Sequence, residues 1–341
     1  MNLGTALADR NNALNFVRLV LASLVIVAHT TPIMGIPDPT GHLLTELGNW
    51  AVNGFFIASG YLITGSRLRS NWWSYLWRRI LRIFPAYWVA LLVVAFVLAP
   101  MVAAFTPDNL VVKSALGFPI RNALLWQVQD EVANTLTSLP IPHVWLGTAW
   151  TLFYEFVAYL LLGSFLSIAW VRRNGLLAMG FLTAVLVGLT VAMRAASGAS
   201  PDSIENFIRL GAYFAVGSVA FFGKNWVRVN STLILISAVT IVLLWNLAGW
   251  DKAGWFAHIP LTYLVLGLGA SLPIRLGASN DISYGIYLYG WPSQQLVVLL
   301  LGTSAGIFGH IVIALLVASV TACASWHLVE KPSLRFSRFV R

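Results

Sequence analysis

The sequence predicts an all-α integral membrane protein of about ten transmembrane helices, with both termini on the cytoplasmic side. Three observations predict it. The 341 residues are 58% hydrophobic and only 10% charged, where soluble domains carry roughly a quarter charged residues. The chain holds ten apolar stretches close to the ~20 residues a helix needs to cross the hydrocarbon core. Lys and Arg gather in alternate connections, the bias that sets orientation. No hydrophilic block is long enough for a second domain, so 1–341 reads as one polytopic membrane domain. The lone Cys323 excludes an intrachain disulfide and a cysteine metal cluster.

The expected spans are 14–34, 46–66, 80–101, 147–169, 175–195, 206–223, 231–249, 255–273, 282–301 and 306–328. The sixth and eighth are short. The first follows Asp9 and Arg10 without a small-residue cleavage signature, so it is expected to be a retained span and not a signal peptide. Between the third and fourth, Pro107, Pro119, Pro140 and Pro142 interrupt 102–146. That stretch reads as one long extracytoplasmic loop with an interfacial helix near 109–126.

With the N-terminus inside, the cytoplasmic side holds Arg10, Arg67, Arg69, Arg78, Arg79, Arg82, Arg172, Arg173, Lys224, Arg228, Arg275, Lys331, Arg335, Arg338 and Arg341. These are 15 of the 21 basic residues. Lys113, Arg121, Arg194 and Lys252 are left for the outer connections, and Arg18 and Arg209 fall within spans. The net charge of +9 is then mainly a topology signal, compatible with membrane lipids as partners. Nucleic acid is not an expected partner, because no soluble basic surface is visible.

Ionisable groups inside spans mark function by default. Arg18 lies near the cytoplasmic end of the first span. Arg79 and Arg82 open the third, in "RRILRIFPAYW", three apart and so on one helix face. Three guanidinium forks in one layer match phosphate oxygens; interfacial anchoring on lipid headgroups is the plainer alternative, preferred for Arg78. His29 lies in the outer half of the first span, and Glu155, in "WTLFYEFVAYL", at similar depth in the fourth. The pair suits general base work, with the carboxylate orienting the imidazole, or a structural interhelical hydrogen bond. No metal site is expected, since one carboxylate and one histidine fall short of three protein ligands. Asn53, Arg209, Gln294 and Gln295 reach the same outer layer and could line a polyhydroxyl-binding cavity, with Pro292 opening the backbone there. His42, His143, His258, His310 and His327 read as interfacial or structural. Arg18 and His29 are eleven residues apart, nearly three helical turns, so they share a face roughly 16 Å apart along the axis.

These pieces resemble the acyltransferase-3 family of bacterial membrane O-acyltransferases. The resemblance rests on "NFVRLVLASLVIVAHT", "NGFFIASGYLITGS", "RRILRIFP", "WTLFYEFVAYLL", "SYGIYLYGWPSQQ" and "HLVEKPSLRF", which occur in family order over nearly the whole chain. It implies a multi-pass protein of the bacterial inner membrane and no permanently bound cofactor. It also implies acyl-CoA, acetyl-CoA above all, as cytoplasmic co-substrate, and a glycan or glycolipid hydroxyl at the outer side as acceptor. It gives His29 the catalytic position and associates Arg18, Arg79 and Arg82 with the donor. Gly290 stands near where many members carry a histidine, so a second-histidine mechanism is not expected. The chain stops at Arg341 without the hydrolase-like domain of some members, and the membrane module is expected to act alone or with a polysaccharide-assembly partner.

The expected reaction has His29 deprotonate the acceptor hydroxyl, which attacks the thioester directly, or has a transient acyl-histidine. Tyr287, Tyr289 or Trp291 could serve the oxyanion, with aromatic packing the plainer reading. A polysaccharide transporter or lipid-linked glycan flippase is the competing class, and a scaffold subunit of an assembly complex is a third.

Overall fold

The computed structural model describes residues 1–8, 12–197, 203–277 and 280–340, so Arg10 and Arg341 of the expected cytoplasmic set lie outside the described residues. Helices are the regular elements of the described residues, which carry one isolated bridge between Asn2 and Arg228 and no strand. Helix α1 is Leu14–Met34, α2 Leu43–Leu68 and α3 Trp72–Val93. Helix α4 is Val112–Asn122, α5 Trp150–Phe165, α6 Gly175–Ser197 and α7 Ser203–Phe222. Helix α8 is Ser231–Ala248, α9 His258–Ser271, α10 Ser283–Leu301 and α11 Gly306–Ser325.

Every expected span contains a helix. Five helical segments among the described residues are long and apolar enough to cross a membrane: Leu14–Met34, Trp72–Phe105, Gly175–Ala195, Ser231–Ala248 and Gly306–Phe339. The others differ for physical reasons. Helix α9 has 14 residues, about 21 Å of rise, and the short helix Trp250–Phe256 precedes it. Helix α10 is rich in Ser, Gly, Tyr and Gln, and nearly all of Ser283–Gln295 is buried, so protein and not lipid surrounds it and its low apolarity is tolerated.

Two prolines act differently from a simple break. After Val93 the third helix continues through a π turn, Val94–Leu98, into Ala99–Phe105. The turn sits just before Pro100, which lacks an amide to donate. The last helix does the same: α11 passes through a π turn, Trp326–Glu330, into Lys331–Arg335, which carries Pro332 in its first turn. Pro119 lies inside α4 without ending it.

The chain forms two compact units. One takes Met1–Leu21, Asn49–Leu76 and Tyr154–Asp281; the other takes Ala22–Gly48, Trp77–Phe153 and Ile282–Arg341. In the first, α7 packs along α6 and α9, and α8 along α9. Helices α2 and α7 meet backbone to backbone: a Cβ on Gly60 would lie 2.0 Å from the Phe214 carbonyl oxygen, and one on Gly217 2.2 Å from that of Ile57. Small residues permit this approach. The N-terminus is pinned by Leu3 and Gly4 amides donating to Val227 and Lys224 carbonyls.

In the second unit, α10 pairs with α11, and a Cβ on Gly290 would meet Ile26 of α1 at 2.8 Å. The connection 123–149 is ordered by its own polar network. The Asn122 side-chain amide donates to the Gln129 carbonyl at 2.7 Å, and fully buried Trp145 donates to Thr135 Oγ1 at 3.0 Å. Expected only as a loop, it has a structured interior because Asn122 and Gln129 take over the backbone pairing that a helix would supply.

Candidate active site

His29 sits on α1, in the second unit. Its Nδ1 lies 2.7 Å from the Val25 carbonyl, one turn back on the same helix. A carbonyl only accepts, so Nδ1 carries the proton and Nε2 of the neutral ring carries the lone pair. The Trp291 ring meets the imidazole edge to face, with centroids 5.2 Å apart. Trp291 is fixed in turn: its Nε1 donates to the Val144 carbonyl at 3.0 Å, and Gly147 makes room for its ring. Gln294 ties α10 to α1 beside the histidine, donating to the Ile26 carbonyl at 2.8 Å and to Thr30 Oγ1 at 3.1 Å. Gln295 donates to the Ile141 and Val144 carbonyls, at 2.9 and 3.0 Å. Both glutamine nitrogens therefore serve the wall around His29, while the buried Gln295 Oε1 has no hydrogen-bond partner. The Tyr287 hydroxyl bonds the Thr148 carbonyl at 2.8 Å and Thr151 Oγ1 at 2.5 Å.

Glu155 belongs to the first unit. Its carboxylate accepts from Ser59 Oγ at 2.7 Å and from the Tyr159 hydroxyl. The histidine nitrogen assigned to a carboxylate in the sequence is held here by the Val25 carbonyl, and Glu155 has α2 and its own helix for partners.

The same unit joins two residues expected to share a layer: Arg209 Nη1 donates to Asn53 Oδ1 at 2.6 Å, and Nη2 to Asn206 at 3.1 Å. One turn on, Tyr213 stacks on buried His258 with ring centroids 4.2 Å apart.

The arginines that the resemblance associates with the donor bring carboxylates with them. Arg18 pairs with Asp281 at 2.6 Å in the first unit. Arg82 pairs with Glu330 at 3.3 Å in the second, and Arg79 lies one turn before it on α3, half-buried. Sequence reasoning passed over Asp281 and quoted Glu330 only as part of a motif. The available signal was charge balance: each is an acidic residue next to an apolar span end in the layer where arginines gather.

A family model described as an acyltransferase domain matches residues 11–329. The chain belongs to the acyltransferase-3 family. It is 26% identical over 338 residues to an O-acetyl transferase of Shigella phage Sf6, covering 94% of this chain and 96% of that one. It is 28% identical over 359 residues to Nodulation protein 10 of Rhizobium leguminosarum bv. viciae, covering 96% of this chain and 94% of the relative. No solved structure matches it. The protein is thus a multi-pass membrane O-acyltransferase, and the enzyme reading stands above the transporter and scaffold readings.

Proposed function

We propose that this acyltransferase-3 protein takes an acetyl group from acyl-CoA on the cytoplasmic side of the bacterial inner membrane. It passes that group to a hydroxyl of a cell-surface or exported glycan on the other side. The observation that carries the reading is the His29 ring, with Nδ1 bound to Val25 and the lone pair on Nε2. Nε2 takes the acceptor hydroxyl's proton as its oxygen attacks the thioester carbonyl. The tetrahedral intermediate collapses, the C–S bond breaks, and the imidazolium returns its proton to the departing thiolate. The Val25 carbonyl keeps hold of Nδ1–H while the imidazolium forms, and Arg79 and Arg82 take the phosphates of the donor. Gln294 and Gln295, in the same unit as His29, belong to acceptor recognition in this proposal. The name of the phage Sf6 relative supports acetyl as the group moved.

The test uses membrane vesicles of both orientations, given acetyl-CoA labelled in the acetyl group. Label should enter glycan as an alkali-labile ester only when the donor reaches the cytoplasmic face. Equal labelling from both faces would overturn the sidedness, and label in phospholipid or protein alone would overturn the acceptor class.

A further inference from the structure

We infer that Glu330 is a positioning residue for Arg82, fixing the direction in which that guanidinium meets the donor's phosphates. The inference rests on the proposed donor role of Arg82. Glu330 is 2% exposed, beside an Arg82 side chain that is 16% exposed. Its Oε2 holds Arg82 Nη1 at 3.3 Å, and its Oε1 accepts from Ser325 Oγ, also at 3.3 Å. The same guanidinium lies over the rings of Tyr284, at 5.7 Å, and Trp326, at 5.8 Å. Tyr284 is itself tied to α3 by its hydroxyl, which donates to the Ile83 carbonyl at 2.8 Å. Carboxylate and rings together restrict a long side chain that would otherwise sample many rotamers.

Trp326 and Glu330 are the two ends of the π turn that precedes Pro332. Residues four apart lie on one face of a helix, so an aromatic face and a carboxylate meet the one arginine from the same side. A planar fork binds phosphate bidentately only in the right orientation, so directing it matters more than for a lysine.

The experiment measures KM and kcat for acetyl-CoA in membranes carrying the full chain with Glu330→Gln, Arg82→Ala, or both. Gln keeps the size and one acceptor and removes the charge. The expected result is a KM for acetyl-CoA raised roughly tenfold, within the usual range of coupling between sites. The expected kcat stays within about twofold of wild type, and the double variant is no worse than Arg82→Ala alone. Glu330→Asp, which draws the charge back by one methylene, should fall between the two; it also carries the test if the Gln variant does not accumulate. A wild-type KM in either Glu330 variant, beside a raised KM in Arg82→Ala, would overturn the positioning role and leave the donor reading standing. A fall in kcat or in protein yield with KM unchanged would assign Glu330 to packing alone. A wild-type KM in Arg82→Ala would overturn the donor reading, and this inference with it.

Discussion

Gly60→Ala is the sharpest perturbation of the α2–α7 seam. The new Cβ would lie 2.0 Å from the Phe214 carbonyl oxygen, 2.9 Å from its carbon and 3.2 Å from the Ser218 nitrogen. Ordinary contact begins at 3.4 Å, so the deficit is about 1.4 Å, and all three neighbours are backbone atoms that cannot swing aside. The helices must part or bend, at a cost at or above the ~1–3 kcal/mol of ordinary overpacking. Ser59, the adjacent residue, holds Glu155 at 2.7 Å, so the displacement also reaches the candidate site. The control is Gly188→Ala on α6, where a Cβ meets nothing within 4 Å and helix propensity alone should add roughly 1 kcal/mol. Thermal unfolding in one detergent, alongside acetyl transfer by the same preparations, reads both effects. Gly60→Ala should unfold at a lower temperature and lose activity, while Gly188→Ala should match or exceed wild type. A Gly60→Ala protein as stable as the control would refute the close packing of α2 on α7.

Other outcomes follow from the same geometry. Arg79→Ala with Arg82→Ala should weaken acyl-CoA binding by about 10- to 100-fold per lost charge-assisted contact; unchanged binding of labelled donor would count against the phosphate role. Asp38 lies in the connection between α1 and α2. Slight burial pushes its carboxyl up, but hydrogen bonds from the Thr40 and Thr45 hydroxyls and amides outweigh that and hold it down at about 2. A lowered folded-state value gives stability that is present above the ordinary 3.8 and lost as pH falls through about 2. Asp38→Ala should therefore unfold at a lower temperature than wild type at pH 7, with the gap closing near pH 2; a gap that stays constant with pH would contradict the assignment.

Much of the architecture is legible in the sequence because it is local. An apolar run of 18 to 20 residues becomes a helix whatever lies elsewhere; the sequence puts Asn53 and Arg209 in one layer, and their hydrogen bond to each other is what the structure adds. The Val25 partner of His29 is also local, one helical turn away, and could have been read from the spacing. The carboxylates on Arg18 and Arg82 are different. Asp281 lies 263 residues from Arg18, and Glu330 248 from Arg82, so only tertiary folding joins them. The π turns before Pro100 and Pro332 are equally hidden, since a proline announces a missing donor without saying whether the helix breaks, kinks or widens. The ordered 123–149 connection depends on Asn122 and Gln129 bonding to backbone, which composition does not reveal.

The account stands on Nε2 of His29 as the base. The direct measurement is the rate of acetyl transfer to glycan by membranes carrying His29→Asn, at matched expression with wild type. Asn can keep a donor toward the Val25 carbonyl while removing the Nε2 lone pair. The predicted result is a loss of about 10²- to 10⁴-fold, the usual contribution of a positioned base, with acetyl-CoA binding intact. A variant that still acylates within a few-fold of wild type would contradict the assignment.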